Sequence, residues 1–159
     1  MAKEYDRRNL DFLLKEVFDS ASLCKYPRFA DYTPDMFDML LDSADLIAEK
    51  YLRPIYVDSD RKAAELVDGV VHVHSGVEPY VKEMGESGMI GVTFDFEHGG
   101  QQLPSLVGGA HEFIRGAAHN SVVMFTGLSH GAAHLIASFG SKELADKFVP
   151  NMLSGKWAG

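Results

Sequence analysis

A single cysteine, Cys24, leaves no partner for a disulfide within the chain and no cysteine-based metal site. It reads as a small apolar side chain packed inside. Basic residues are scarce: 15 Lys and Arg face 23 Asp and Glu, a net charge of −8 without a dense Lys/Arg cluster. Phosphate backbones and anionic membrane surfaces find little to hold, so neither nucleic acid nor membrane is an expected partner. Long hydrophobic runs are missing as well. The longest, such as Ser121-Val122-Val123-Met124-Phe125, fall far short of a membrane span, and the start Met-Ala-Lys-Glu-Tyr-Asp-Arg-Arg has no signal-peptide stretch, so a cytoplasmic protein is expected. No repeat or low-complexity segment appears. A hydrophobic content of 46% over 159 residues is enough for one core of ordinary size.

What is present is helical periodicity. Leu10, Leu13, Leu14, Val17 and Phe18 predict an amphipathic helix near residues 6–20. Thr33-Pro34-Asp35 is a start signal: a hydroxyl cap, a proline where the missing N–H costs nothing, and an acid at the positive end of the dipole. Met36, Met39, Leu40, Ser43, Ala44, Ile47 and Tyr51 mark one face of that helix, which should stop before Pro54. Residues 54–74 read as a long connection with a short extended piece at Val70–His74. Ser75 is a cap for a helix to about Ser87, and the glycines from Gly88 to Gly100 then break the pattern. Leu106, Ala110, Phe113, Ile114 and Ala117 predict another helix. Leu144, Phe148, Val149 and Met152 behind Ser141 predict a last one. Residues 120–138 are ambiguous, because Val122-Val123 favours a strand whereas Leu128, Ala132, Leu135, Ile136 and Phe139 favour a helix. The fold class is all-α, an up-and-down bundle of about six helices, with residues 1–32 as an extension and 33–159 as the helical domain. Glycines 108, 109, 116, 127 and 131 within helical stretches suggest close approach of another backbone or a ligand.

Two motifs carry chemistry on paper. Gly127-Leu128-Ser129-His130-Gly131 matches G-x-S-x-G, the strand-to-helix turn that exposes a serine nucleophile. A serine hydrolase using Ser129 is therefore an alternative reading, although no histidine follows His134 to complete it. His130 and His134, four apart, share a helix face as zinc ligands do, but no third ligand is identifiable and Gly131 replaces the glutamate of H-E-x-x-H, so no metal site is expected. His72 and His74 have no evident partner. Phe96-Glu97-His98-Gly99-Gly100 lacks the features of a phosphate loop and reads as a tight turn.

Taken in order, Gly88-Met89-Ile90-Gly91, Phe96-Glu97-His98-Gly99-Gly100, a small-residue-rich helix, Phe139-Gly140-Ser141-Lys142-Glu143 and Val149-Pro150-Asn151-Met152-Leu153-Ser154-Gly155-Lys156-Trp157 resemble the amino-terminal region of the acyl-CoA dehydrogenase family. The family's turn usually reads Pro-Glu-Glu-Tyr-Gly-Gly; here Asp95 and Phe96 stand at Pro-Glu, His98 at the tyrosine, and Lys156 at a usual glutamate. Residues 5–61 resemble the extension of a longer subgroup. The resemblance implies FAD as the cofactor of the complete enzyme, an acyl-CoA thioester substrate, electron transfer flavoprotein as acceptor, and a homo-oligomer. It places the catalytic glutamate and the flavin contacts beyond Gly159, so no catalytic, cofactor-binding or metal residue is expected here, and this chain alone is expected neither to retain FAD nor to be active. It also implies that Val123, Met124, Gly127, Leu128 and Gly131 line the acyl pocket. A stand-alone helical binding module is the third reading.

Overall fold

The computed structural model describes residues 4–158; Met1–Lys3 and Gly159, on which the readings of the amino-terminal start and of the continuation rest in part, lie outside the described residues. Asp6 caps the first helix, its carboxylate accepting from the Arg8 N–H at 2.9 Å, and α1 (Arg7–Phe12) continues as a wider π-helical turn over Leu13–Val17. Of the predicted stripe only Leu14 is deeply buried, inserted among Leu41, Ala44, Ala110 and Ile114. Around it Arg7 reaches Asp42 at 2.8 Å and Lys15 reaches Asp38 at 2.9 Å. Exposed ion pairs of this kind stabilise little, so Leu14 anchors the helix.

Thr33 caps α2 (Pro34–Ile47), accepting from the Met36 N–H at 3.3 Å. The face that α2 buries is rotated from the predicted one. Phe37, Leu41, Ala44 and Ile47 point inward, whereas Met36 and Met39 are exposed. Two overlapping apolar ladders share Ala44 and Ile47, and the one carrying the bulkier Phe37 and Leu41 buries more area. The helix widens at Ala48–Leu52 and narrows to a 3-10 turn at Arg53–Ile55, so it passes through Pro54 instead of ending before it.

The expected long connection is more structured than its sequence suggests. It holds α3 (Tyr56–Arg61) and a hairpin, β1 (Glu65–Val67) and β2 (Val70–His72), paired antiparallel with Val67 opposite Val70. Asp68 and Gly69 both have positive φ, as a two-residue primed hairpin turn requires. Helix α4 (Val77–Glu86) is preceded by Gly76 rather than capped by Ser75. The segment from Gly88 to Leu103 is irregular yet pinned. Gly88 and Gly99 take positive φ, Leu103 N–H bonds Val92 O at 3.0 Å, and Ile90, Val92, Phe94 and Leu103 are buried.

Residues 120–138 are helical, part of α5 (Ser105–Phe139), whose one break is at His119 (φ −166°, ψ 83°). The last helix, α6 (Lys142–Leu153), is capped by Ser141 and packs on α5 with Val149, Met152 and Leu153 buried. Among the described residues five further α-helices and one small hairpin accompany α5, which packs against both α2 and α6. By length and apolar composition alone α5 could cross a membrane, but the buried His111, Arg115 and His119 along it, and helices on both sides, are those of a core helix.

Candidate functional site

Every turn of α5 sends its residues in different directions, and the five predicted pocket residues divide accordingly. Val123 is buried in the main core with Tyr80, Met84 and Ile90. Gly127 lines a cavity of about 260 Å³ between α5 and the 88–101 segment, shared with Met89, Thr93, Glu112, Arg115 and Thr126. Met124 packs beside the core, and Leu128 and Gly131 follow it at helical spacing onto an open face. Leu128 and Leu135 are each 62% exposed there, Phe139 is 84% exposed, and nothing lies within 4 Å of where a Cβ on Gly131 would be. The structure therefore brings Gly127 to a cavity, places Met124, Leu128 and Gly131 along an adjoining apolar stripe, and puts Val123 behind both.

Ser129 is no exposed nucleophile. It lies in mid-helix, buried, and its hydroxyl donates to Phe125 O at 3.2 Å. The strand that a nucleophile elbow needs at 121–126 is helix instead. His130 donates from Nδ1 to Ile90 O at 2.7 Å, and both His130 and His134 stand edge-on to the Phe94 ring at 5.4 and 5.5 Å. They serve to fasten the 88–101 segment to α5. Among the described residues no three His, Cys, Asp or Glu side chains converge as a metal site. His74, for which the sequence shows no partner, has two: Gly76 N–H donates to Nδ1 at 3.1 Å, so Nε2 carries the proton and donates to Asp58 at 2.9 Å.

A buried polar chain runs behind the cavity, and pattern reading missed it. Arg115 is 4% exposed; its Nε donates to His111 Nδ1 at 3.2 Å and its Nη1 to Tyr80 Oη at 2.5 Å. Thr126 donates to Val123 O at 3.0 Å, so the Tyr80 hydroxyl, 3.2 Å away, donates to Thr126 Oγ1. The available signal was that His111 and Arg115 sit four apart on the same helical stripe as Val107, Ile114 and Ala118. Burial, and then the Arg115 charge, push the His111 pKa down to about 3. The imidazole is neutral when folded and protonates more readily when unfolded, so its contribution is present above the unfolded pKa near 6.5 and is lost as pH falls toward 3. In urea titrations, the stability gap between wild type and His111→Gln should narrow by on the order of 1–2 kcal/mol from pH 7.5 to pH 5. A constant gap would show that His111 is not held neutral.

A second cavity, about 410 Å³, lies at the α5 break. There Ser59 Oγ is 2.7 Å from His119 Nε2, and the Tyr56 ring stands edge-on to the imidazole. These contacts tie α3 to α5 where the helix changes direction.

Residues 35–156 match the family model described as acyl-CoA dehydrogenase, N-terminal domain. Over 159 residues the chain is 27% identical to a butyryl-CoA dehydrogenase of Syntrophomonas wolfei, covering 98% of this chain and 26% of that protein. A second butyryl-CoA dehydrogenase of the same organism is 26% identical over 160 residues, with the same coverage. The 3-methylmercaptopropionyl-CoA dehydrogenase of Ruegeria pomeroyi is 26% identical over 126 residues, covering 75% of this chain and 21% of that protein. The chain spans about a quarter of the length of these curated relatives. With the fold, the pinned 88–101 segment and this match over most of its length, the chain belongs to the acyl-CoA dehydrogenase family, of which it is the N-terminal helical domain.

Proposed function

We propose that the protein carrying this chain is a flavin-dependent acyl-CoA dehydrogenase, removing hydrogen across the α,β bond of an acyl-CoA thioester, and that α5 supplies one wall of its acyl pocket. The observation that supports the wall is the place of Gly127, which lines a cavity and lies beside an apolar stripe of half-buried Met124 and exposed Leu128, Gly131 and Leu135. Large apolar side chains left open along one helix face are used where another surface or ligand covers them. In this reading Gly127 leaves volume for the acyl chain, the stripe removes its methylenes from water, and Val123 holds α5 in place from behind. In this reading residues 1–32 form an extension to the 33–159 domain, and its described part is anchored through Leu14.

FAD is the cofactor of this reading. No residue here is assigned to flavin or to the base that takes the α-proton. Electron transfer flavoprotein as acceptor, a homo-oligomeric assembly and a cytoplasmic location complete the proposal. The test is anaerobic titration of the purified full-length protein with butyryl-CoA. A flavin near one equivalent that bleaches on addition is expected, whereas residues 1–159 expressed alone should retain none. A colourless full-length protein, or a flavin that no acyl-CoA reduces, would overturn the reading.

A further inference from the structure

Arg115 is a cation almost wholly withdrawn from water without an anion to meet it. Its partners, His111 Nδ1, Tyr80 Oη and Met84 Sδ at 3.8 Å, are all neutral, and no carboxylate lies within ion-pair distance among the described residues. A buried charge left this way is costly, and guanidinium does not relieve the cost by losing its proton. Two of its nitrogens are used inside the protein. The third, Nη2, makes no hydrogen bond among the described residues, and the side chain forms part of the wall of the Gly127 cavity. The remaining wall is mixed: Met89 and Val92 are apolar, Thr93 and Ser105 bring hydroxyls, and His130 and His134 bring imidazoles. Glu112, one turn before Arg115, also borders the cavity, but it is exposed and makes no ion pair with it.

We propose that this cavity receives a carboxylate carried at the far end of an acyl chain, with Arg115 as its counter-charge. One guanidinium with one free nitrogen edge suits a singly charged carboxylate; a phosphate dianion would call for a second fixed cation, and beside Arg115 the described wall offers only the imidazoles of His130 and His134, which are engaged with Ile90 O and the Phe94 ring. The apolar part of the same cavity accommodates the methylenes that lead to it. The acyl chain rests on the dehydrogenase reading above, whereas the carboxylate rests on Arg115 alone.

The test compares glutaryl-, adipoyl- and suberoyl-CoA with pentanoyl-, hexanoyl- and octanoyl-CoA on the full-length flavin-loaded enzyme, with titration of free adipate as a separate binding measurement. At least one carboxylated thioester should be used by wild type. Arg115→Met should lower its kcat/KM by on the order of 100-fold more than it lowers that of the matched plain thioester. Arg115→Lys should keep part of the preference, and Glu112→Gln should leave or strengthen it. If no thioester is oxidised, the dehydrogenase reading fails, yet adipate binding abolished by Arg115→Met would still establish the carboxylate site. The proposal is overturned if wild type rejects every carboxylated thioester and binds no adipate, a comparison that needs no variant. It is equally overturned if Arg115→Met slows both series alike, or if Glu112→Gln and Arg115→Met lose the same stability, which would make Glu112 the partner.

Discussion

Gly85→Ala should lower the stability of the full-length protein by on the order of 2 kcal/mol, the opposite of what helix propensity alone predicts. Gly85 lies inside α4, where alanine ordinarily gains about 1 kcal/mol over glycine. Here a Cβ would overlap the carbonyl of Ser154, just past the end of α6. The obstruction is backbone and cannot rotate away. The Ser154–Gly155 turn is itself fixed, since Gly155 has a φ of +72° and lies against Val81 O. Moving it shifts Met152 and Leu153, both buried in the main core, and overpacking of this kind costs about 1–3 kcal/mol, occasionally more. Gly109→Ala is the control. Gly109 is also helical, but it is exposed with nothing within 4 Å of a Cβ, so alanine should stabilise by about 0.5–1 kcal/mol. Chemical denaturation of the two variants should give shifts of opposite sign. Equal shifts would mean that α4 and the end of α6 do not cross this closely.

Much of the helical framework was legible because its signals are local. Thr33-Pro34-Asp35 and Ser141 start α2 and α6 as caps should, through contacts within three residues. Other features depend on what packs where. Val122-Val123 argues for a strand on propensity, but both valines lie buried within α5, where packing overrides a preference of a few tenths of a kcal/mol per residue. Choosing between Met36/Leu40 and Phe37/Leu41 as the core face of α2 required knowing that α5 covers the second. The Asp68-Gly69 turn was readable in principle, yet strands of three exposed residues carry almost no hydrophobic alternation. At the site, the resemblance singled out α5 and, on it, a glycine that meets a cavity. It did not reveal Arg115, whose place on the apolar stripe of Val107, Ile114 and Ala118 was the one sign in the sequence of its burial.

The second large effect is expected from Gly127→Leu. A Cβ there would meet Glu112 Oε1 at 3.4 Å and Met124 Cε at 3.5 Å, ordinary contacts that α5 can accept, while the outer carbons of leucine would project into the cavity. Filling that space should cost the longer acyl-CoA substrates on the order of 1–3 kcal/mol in transition-state binding, roughly 10- to 200-fold in kcat/KM, the usual value of a methylene in an apolar pocket. Short thioesters, whose chains end before the obstruction, should be nearly unaffected. Flavin content and Tm must match wild type, so that a misfolded helix is not read as a filled pocket. The chain-length profile of this variant tests most directly whether α5 walls the acyl chain: a loss that grows with chain length is the predicted result, and a uniform loss across all lengths in a stable, flavin-loaded enzyme would contradict it.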